Sequence, residues 1–196
     1  MSIQTRRERE RAERERLIVR AARELLETEG WDAVTTRRLA AEIEYSQPVL
    51  YGHFKGKDAI MAAVALEGFA AMAAELRAAR QAVEGAGARA RLAAAGEAYT
   101  AFARRRPALY DAMFTRTVDL PFATLEAPAP LWAAFDELMT AVEPIAAAGD
   151  DVGVLTETYW AGLHGLVTLL RTARLPEPTH DHRLRLLTDH FTAGAT

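Results

Sequence analysis

The segment 35–57, TTRRLAAEIEYSQPVLYGHFKGK, constrains the fold of this chain more than any other. It opens with Thr35 and Thr36, whose hydroxyl groups can accept an unpaired amide hydrogen in the first turn of a helix. Leu39 and Ile43 follow with a spacing of four residues, which is the spacing of neighbours on one helical face. The beginning of the segment therefore predicts a short helix with a narrow apolar stripe.

The second half of the segment predicts another short helix after a turn at 44–45. Ser46 is its candidate N-cap, and Pro48 fits the first turn because the amides there lack partners within the helix. The apolar side consists of Val49, Leu50 and Phe54. The polar residues left for the outward side are Gln47, Tyr51 and His53, and the sequence Lys55-Gly56-Lys57 ends the helix.

Two short helices joined by a tight turn, with a polar outer face on the second, are typical of a helix-turn-helix. The major groove of DNA is wide enough for one helix, whose N-terminal residues then reach the base edges. The alternative is a helical hairpin buried in an all-α core. The outward polar side chains argue against that alternative, because a buried hairpin would not need them.

The same residues resemble the TetR family of transcriptional regulators. The resemblance covers residues 13–65, and its motifs are Val34-Thr35-Thr36-Arg37-Arg38-Leu39-Ala40 and Leu50-Tyr51-Gly52-His53-Phe54-Lys55-Gly56-Lys57. Glu44 departs from the family, which usually has glycine in the turn, and Tyr45 replaces a small apolar residue.

The predicted DNA-binding residues divide into two groups by their chemistry. Gln47 can bond adenine bidentately, whereas Pro48 and Val49 can touch a thymine methyl group. The resemblance implies phosphate contacts by Thr36, Arg37, Tyr51, His53 and Lys57. Such contacts set register rather than sequence. The complete predicted set is Thr35, Thr36, Arg37, Ser46, Gln47, Pro48, Val49, Tyr51, His53 and Lys57.

Composition and charge favour an all-α protein with two parts. The chain has 196 residues, of which half are hydrophobic, and no cysteine, which excludes disulfides and thiolate chemistry and suits a cytoplasmic protein. We see no apolar run long enough for a bilayer and expect no membrane partner. Residues 1–57 hold 12 basic and 10 acidic residues, whereas the remainder hold 12 and 17.

We therefore predict an N-terminal three-helix helix-turn-helix DNA-binding domain at 1–57 and a C-terminal helical domain for ligand binding and dimerisation at 58–196. The Arg/Glu-rich start, up to Arg16, has two interpretations. It is either the solvated beginning of the first helix, with pairs such as Arg6–Glu10 and Arg11–Glu15, or an arm that reaches the minor groove. A long helix follows from Ala59 to Ala79.

Several further helices are predicted in the C-terminal part. Pro107 begins a short helix, and 118–130 forms a loop with three prolines. A helix over 131–148 would place Trp132 inward, and Pro144 would kink or shorten it. An apolar helix over 152–174 is capped by Asp150 or Asp151, and a last helix over 181–192 is capped by Thr179.

The last two helices predict a dimer interface. Gly162 and Gly165 interrupt an apolar helix, and such small residues let another helix approach closely. Residues 160–165, WAGLHG, also look like the Trp-His-Gly motif of one TetR subgroup, which implies dimerisation and pocket lining. The predicted interface is Gly162, Leu163, Leu166, Leu170, Leu184, Leu187 and Phe191.

A small, apolar effector is the partner that we expect for the C-terminal domain. Such pockets are mostly apolar with a few polar groups. The predicted lining is Phe102, Tyr110, Phe114, Trp132, Tyr159, Trp160 and His164. The alternative is an interaction or dimerisation domain without an effector.

Other functional classes have less support in the sequence. His180, His182 and His190 do not suggest a metal site, because residues two apart point in different directions on a helix. We expect no cofactor and no catalytic residue; the rival enzyme would use His164 with Glu157 or Asp151. A second rival is an acidic helical adaptor that binds only proteins. The sequence thus predicts a homodimeric, ligand-responsive regulator, most simply a repressor, that binds a palindromic double-stranded DNA operator.

Overall fold

The computed structural model describes residues 3–116, 120–122, 124 and 126–193, and this part of the chain contains helices and no strand. The prediction of an all-α fold is confirmed. The α-helices are α1 (Ile3–Glu29), α2 (Thr36–Glu42), α3 (Gln47–Tyr51), α4 (Lys57–Ala82), α5 (Ala88–Arg105), α6 (Pro107–Phe114), α7 (Ala129–Val142), α8 (Val152–Arg171) and α9 (His180–Thr192). Short 3-10 helices lie at Trp31–Ala33, Glu143–Ile145 and Glu177–Thr179.

The helices form two compact units, made of Met1–Gly68 with Arg106–Pro128 and of Phe69–Arg105 with Ala129–Thr196. We call them the amino-terminal and carboxy-terminal units. They do not coincide with the predicted domains 1–57 and 58–196, because α6 packs against α1 in the amino-terminal unit. As functional domains, the ranges 1–57 for DNA binding and 58–196 for ligand binding and dimerisation stay a prediction.

The amino-terminal unit has a small apolar core to which each of its helices contributes. Fully or almost fully buried residues include Ile18 and Leu26 of α1, Leu39 of α2 and Leu50 of α3. The α1 helix ends at Glu29 and is followed by Gly30, whose φ of +87° is one that glycine adopts without a steric penalty. The Arg/Glu-rich start is helical, and the predicted ion pairs Arg6–Glu10 and Arg11–Glu15 are both present.

The carboxy-terminal unit is organised around α5, which packs against α7, α8 and α9. Its core includes Leu92 and Phe102 of α5 with Tyr159 and Leu163 of α8. Gly96 of α5 allows the close approach, because a Cβ atom there would lie only 2.5 Å from the Tyr159 hydroxyl oxygen. In the predicted loop at 118–130, residues 118, 119, 123 and 125 lie outside the described residues, the described ones up to 128 are not helical, and α7 begins at Ala129.

Helix ends in the carboxy-terminal unit follow the sequence in part. Asp151 caps α8 as predicted, because its side chain accepts the Val154 amide at 3.1 Å. Thr179 stands at the N-cap of α9 but does not cap it; its hydroxyl donates to the Pro176 carbonyl oxygen instead. The α7 helix stops at Val142, earlier than predicted, because Pro144 falls in the 3-10 turn that follows.

A buried ion cluster joins α4 to α7 within the carboxy-terminal unit. The Glu137 side chain is 7% exposed and accepts Arg77 Nε at 2.6 Å and Arg80 Nη2 at 3.1 Å. A carboxylate is rarely buried without such partners. This cluster is therefore a specific contact between two helices, and the sequence analysis did not identify it.

The sequence expectation about membrane-spanning length needs one correction. By length and composition alone, α4 is apolar enough to cross a bilayer, and no other helix in the described part of the chain is. Half of its most apolar window is buried inside the protein, as in the core helix of a soluble protein. A single helix of this kind is weak evidence for a membrane span.

Candidate nucleic-acid interface

The α2 helix is fixed at its beginning by a capping bond and at its side by burial. Thr35 Oγ1 accepts the amide hydrogen of Arg38 at 3.1 Å, which is the N-cap contact that the sequence predicts. Leu39 and Ala40 are buried, whereas Arg37 is exposed. The exposed side of α2 therefore presents the Arg37 guanidinium at the beginning of the helix.

The turn between α2 and α3 requires an unusual backbone at Glu44. Its φ is +57°, the left-handed conformation that favours glycine and that costs other residues about 1–2 kcal/mol. The Tyr45 amide returns to the Ala40 carbonyl oxygen at 2.9 Å. The chain thus forms the expected turn with glutamate at the strained position, and Tyr45 is 37% exposed beside it.

The beginning of α3 is open to solvent. Ser46, Gln47, Pro48 and Val49 are exposed, whereas Leu50 is 1% exposed and anchors the helix in the core. Ser46 occupies the N-cap position, but its side chain makes no capping bond, contrary to the sequence expectation. The first-turn amides of α3 therefore have no side-chain partner from Ser46.

Tyr51 is the most exposed large side chain on α3. It is 56% exposed, and its hydroxyl oxygen lies 3.4 Å from Thr36 Oγ1. Tyr51 and Thr36, both predicted phosphate contacts, are thus brought together. Two hydroxyl groups at this distance form a small polar patch at the junction of α2 and α3.

The prediction that His53 lies on the outward side of the second helix is wrong. Its side chain is only 9% exposed, and its Nδ1 lies 3.3 Å from Glu15 Oε1 on α1. Arg11 of α1 also donates to the Gly52 carbonyl oxygen at 3.4 Å. The N-terminal half of α1 therefore covers the end of α3, and a phosphate contact by His53 stays a prediction.

Lys57 is engaged within the unit rather than free. Its Nζ donates to the Trp31 carbonyl oxygen at 2.7 Å and lies 5.0 Å from the centre of the indole ring. Arg116 lies over the same ring at 5.5 Å. A cation over an indole face is attracted to its negative surface, so Trp31 orients both cations.

The predicted ligand residues are divided between the two units. Tyr110 and Phe114 belong to the amino-terminal unit, where their rings lie 4.8 Å apart. The other five belong to the carboxy-terminal unit, where Phe102 and Tyr159 are completely buried. The prediction that Trp132 points inward is wrong, because its side chain is 39% exposed and stacks edge-on against Phe135.

Trp160 and His164 both lie close to the hydroxyl group of Tyr99, which is not among the predicted ligand-binding residues. Trp160 Nε1 donates to the Tyr99 hydroxyl oxygen at 3.0 Å, and His164 Nδ1 lies 3.5 Å from the same oxygen. Burial lowers the pKa of His164, so the neutral imidazole is favoured. Buried Tyr159 donates to the Leu92 carbonyl oxygen at 3.0 Å, and burial raises its pKa.

The acid–base pair of the rival enzyme hypothesis gains no support from these contacts. His164 faces Tyr99, whereas Asp151 serves as the cap of α8 and Glu157 is exposed. Among the described residues, no three histidine, aspartate or glutamate side chains group together as metal ligands would.

Several predicted dimer residues face inward instead. Leu163 and Leu184 are buried within the chain, so neither lies on an outer face. Gly162 packs against Leu187 of α9, since a Cβ atom there would lie 2.9 Å from a Leu187 methyl carbon. The close helix approach that Gly162 allows is therefore intramolecular. Leu166, Leu170, Leu187 and Phe191 are partly buried, and their dimer role stays a prediction.

The exposed apolar side chains of these two helices are others, which the sequence analysis missed. Val154 and Leu169 of α8 are 56% and 40% exposed, and Leu186 of α9 is 54% exposed. Gly165 has no neighbouring atom within 4 Å of a Cβ position. Helical periodicity could have identified these exposed positions once Leu163 and Leu184 were assigned to the core.

One cleft in the carboxy-terminal unit is also unrelated to the predicted ligand residues. It has a volume of about 500 Å³ and lies between α5 and α9. None of the seven predicted residues lines it.

Comparison with protein families gives two matches along this chain. Residues 18–64 match the family described as bacterial regulatory proteins, tetR family. Residues 92–191 match the family described as tetracyclin repressor-like, C-terminal domain, which covers just over half of the chain.

Individual relatives are similar over the first of these regions. The class C tetracycline repressor of Escherichia coli is 48% identical over 48 residues, which is 24% of this chain and 22% of that protein. The class H repressor of Photobacterium damsela subsp. piscicida is 46% identical over 50 residues, 26% of this chain and 23% of that protein. The match therefore spans less than a quarter of these relatives.

Solved structures are similar over nearly the whole chain. A protein of unknown function from Rhodococcus sp. RHA1 has a TM-score of 0.77 at 29% identity, covering 93% of this chain and 95% of that one. A TetR-family regulator from Streptomyces coelicolor has a TM-score of 0.66 at 17% identity, covering 93% and 99%. A TetR variant from Acinetobacter baumannii AYE in complex with minocycline has a TM-score of 0.62 at 22% identity, covering 90% and 93%.

Proposed function

This chain belongs to the TetR family of transcriptional regulators, and we propose that it binds a near-palindromic operator as a homodimer through α3. The observation that carries the proposal is the burial pattern of that helix. Leu50 is held in the core while Ser46, Gln47, Pro48 and Val49 are exposed next to it. A helix anchored on one side and open at its N-terminus suits insertion into the major groove.

The predicted DNA-binding residues of α2 and α3 have two proposed roles, base reading and phosphate contact. Gln47 bonds adenine through its amide, and Pro48 and Val49 contact thymine methyl groups. Thr35, Thr36, Arg37, Ser46 and Tyr51 contact phosphates, which fixes the register of the helix on the duplex. His53 and Lys57 also contact phosphates in this proposal. To do so, His53 must turn away from Glu15, and Lys57 must leave the Trp31 carbonyl oxygen.

We propose that a second copy of the chain supplies the other half of the operator contact. Two recognition helices in successive major grooves are about 34–36 Å apart. The exposed apolar residues Val154, Leu169 and Leu186 on α8 and α9 are the side chains that we propose a second copy covers. The role is most simply that of a cytoplasmic repressor.

A small apolar effector is the proposed signal. The minocycline complex shows that a structurally similar protein binds a small molecule, and the cluster of Tyr99, Trp160 and His164 offers polar groups within an apolar unit. The effector must prefer one of two states of the protein, since equal affinity for both would shift nothing. The alternative role is dimerisation without an effector.

DNA binding is tested with a duplex selected from a random-sequence pool and measured by fluorescence anisotropy. Tyr51→Ala is expected to weaken binding to matched and mismatched duplexes alike, because a phosphate contact carries no sequence information. Gln47→Ala is expected to lower the preference for the matched duplex by about tenfold. Gln81→Ala, an exposed glutamine in α4, is the matched control.

Two outcomes would contradict the proposal. Equal losses on both duplexes for Gln47→Ala would remove its base-reading role. An affinity that does not depend on salt would favour the protein-binding adaptor, because phosphate neutralisation always gives a salt slope.

The homodimer is tested separately by sedimentation velocity. Leu186→Glu is expected to give a monomer, whereas Leu17→Glu, at an exposed leucine of the amino-terminal unit, is expected to leave the dimer intact. A wild-type chain that sediments as a monomer at micromolar concentration would overturn the dimer.

A further inference from the structure

The cleft between α5 and α9 has the volume of a small-molecule site and a lining that is mostly polar and charged. Its volume of about 500 Å³ falls within the range of ligand pockets, about 300–1,000 Å³. Ala101 of α5 and Leu184 of α9 give it an apolar wall. All of its lining residues belong to the carboxy-terminal unit.

His180 supplies an unused polar group in this cleft. The residue is 3% exposed, and neither ring nitrogen has a hydrogen-bond partner among the described residues. Buried polar side chains are nearly always paired. An imidazole that lines a cleft with both nitrogens unpaired is therefore suited to a ligand that brings its own polar group.

Groups of both signs lie near this imidazole, and the positive ones are two arginines and the beginning of a helix. Arg104 and Arg185 line the cleft, and α9 begins at His180 itself, so the positive end of the helix faces the site. Thr179 does not cap that end with its side chain. Arg104 pairs with Glu177 at 3.2 Å, but both side chains are more than half exposed, so the pair is weak and can be exchanged for a ligand.

Two carboxylates limit how much negative charge the cleft accepts. Glu97 and Asp181 also line it. A doubly charged phosphate would be repelled by both more strongly than a singly charged group would be. The charge distribution therefore favours a single carboxylate placed on the side of His180 and the arginines.

We propose that the α5–α9 cleft binds a small organic monocarboxylate, with His180 and Arg104 donating hydrogen bonds to its carboxylate and its apolar body against Ala101 and Leu184. Arg185 attracts the anion, and Glu97 weakens its binding. The site goes beyond the proposed function, because it requires neither DNA nor a dimer.

The test uses the full-length chain labelled with ¹⁵N-histidine and benzoate as the probe. The chain has five histidines, so the imidazole spectrum is simple and His180→Gln assigns the signal. Benzoate is expected to move the His180 signals in a saturable way and to leave those of exposed His182 in place. Benzamide, which has the same shape without the charge, is expected to bind at least about tenfold more weakly.

Three results would overturn the proposal. They are the absence of a saturable shift at His180, equal affinities for benzoate and benzamide, and tighter binding of phenyl phosphate than of benzoate.

Exposed variants keep the test independent of folding. Arg185→Gln is expected to weaken benzoate about threefold to tenfold, and Glu97→Gln is expected to tighten it by about threefold. Arg174→Gln removes the same charge from an exposed residue that does not line the cleft and is expected to change nothing. Unchanged affinity in Arg185→Gln, or weaker binding in Glu97→Gln, would exclude an anion at this position.

Discussion

The exposed end of α3 and the α5–α9 cleft differ in how far apart in the chain their residues lie. The α3 surface comes from neighbours, with exposed Val49 and Tyr51 on either side of buried Leu50. The cleft exists only because residues of α5, such as Arg104, meet residues of α9, such as His180. A surface of the first kind follows from a local pattern, whereas one of the second kind depends on packing between distant helices.

The largest expected effect on stability tests a contact in the carboxy-terminal unit between residues that are far apart in the sequence. Replacing Arg77 and Arg80 together by alanine leaves the Glu137 carboxylate, 7% exposed, without its cations. We expect the free energy of unfolding to fall by about 3–5 kcal/mol, because an unpaired buried charge is costly. Urea denaturation followed by circular dichroism measures the loss.

The controls for this double variant separate charge burial from lost packing. Glu137→Met removes the charge itself and is expected to cost less than the double variant. Arg23→Ala breaks an exposed pair with Glu67 in the amino-terminal unit and is expected to cost about 0–1 kcal/mol. If Glu137→Met cost as much as the double variant, the buried charge would not be the cause.

The next effect tests the local pattern of α3. Leu50→Ala is expected to lower the free energy of unfolding by about 2–4 kcal/mol, because it leaves a cavity where a fully buried side chain packs. Val49→Ala, at the adjacent exposed position, is expected to change stability by less than about 0.5 kcal/mol and to alter base preference instead. Thermal unfolding and anisotropy report the two effects separately. Similar losses of stability would mean that Val49 is part of the core.

A smaller effect compares two residues, one in each unit, that are left-handed without being glycine; no others occur in the described part of the chain. Glu44 has a φ of +57° and Ala173 a φ of +54°. Each is expected to gain about 0.5–1 kcal/mol of stability on substitution by glycine, because glycine relieves the strain but adds freedom to the unfolded chain. Chemical denaturation of both variants measures the gain. A loss in Glu44→Gly alone would show that the glutamate side chain stabilises the turn.

Local chemistry allowed much of the fold to be predicted. The cap at Thr35 and the start of α6 at Pro107 each depend on residues within a few positions of each other. The resemblance showed Glu44 where the family usually has glycine, and its φ is +57°. Such features need only backbone geometry and first-turn hydrogen bonds.

Contacts between distant segments could not be predicted in the same way. His53 is covered because Glu15 of α1 reaches it, and Trp132 is exposed because Leu131 and Leu138 take the inner face of α7. Leu163 and Leu184, which look free for a partner in sequence, are used by the chain's own core. In each case helical periodicity suggests a face for the side chain, but only packing decides whether another helix covers it.

The smallest expected effect is on acid stability and tests whether His180 is held neutral in the cleft. Burial, and next the charge of Arg104, lower its pKa, while Asp181 and Glu177 oppose the shift and Arg183 adds to it. The unfolded chain therefore takes up a proton near the ordinary imidazole pKa of about 6.5, whereas the folded chain does so only at lower pH. The free energy of unfolding should fall as pH decreases below about 6.5, until the folded imidazole is also protonated.

His180→Gln should make this fall of the free energy of unfolding with decreasing pH less steep. His164→Gln should reduce the slope further, because burial lowers the pKa of His164 as well. Denaturant titrations between about pH 4 and pH 8 measure the slope, with His182→Gln as the exposed control on the same helix. An unchanged slope in His180→Gln would show that the folded protein protonates this imidazole as readily as the unfolded chain does, and that the cleft does not hold it neutral.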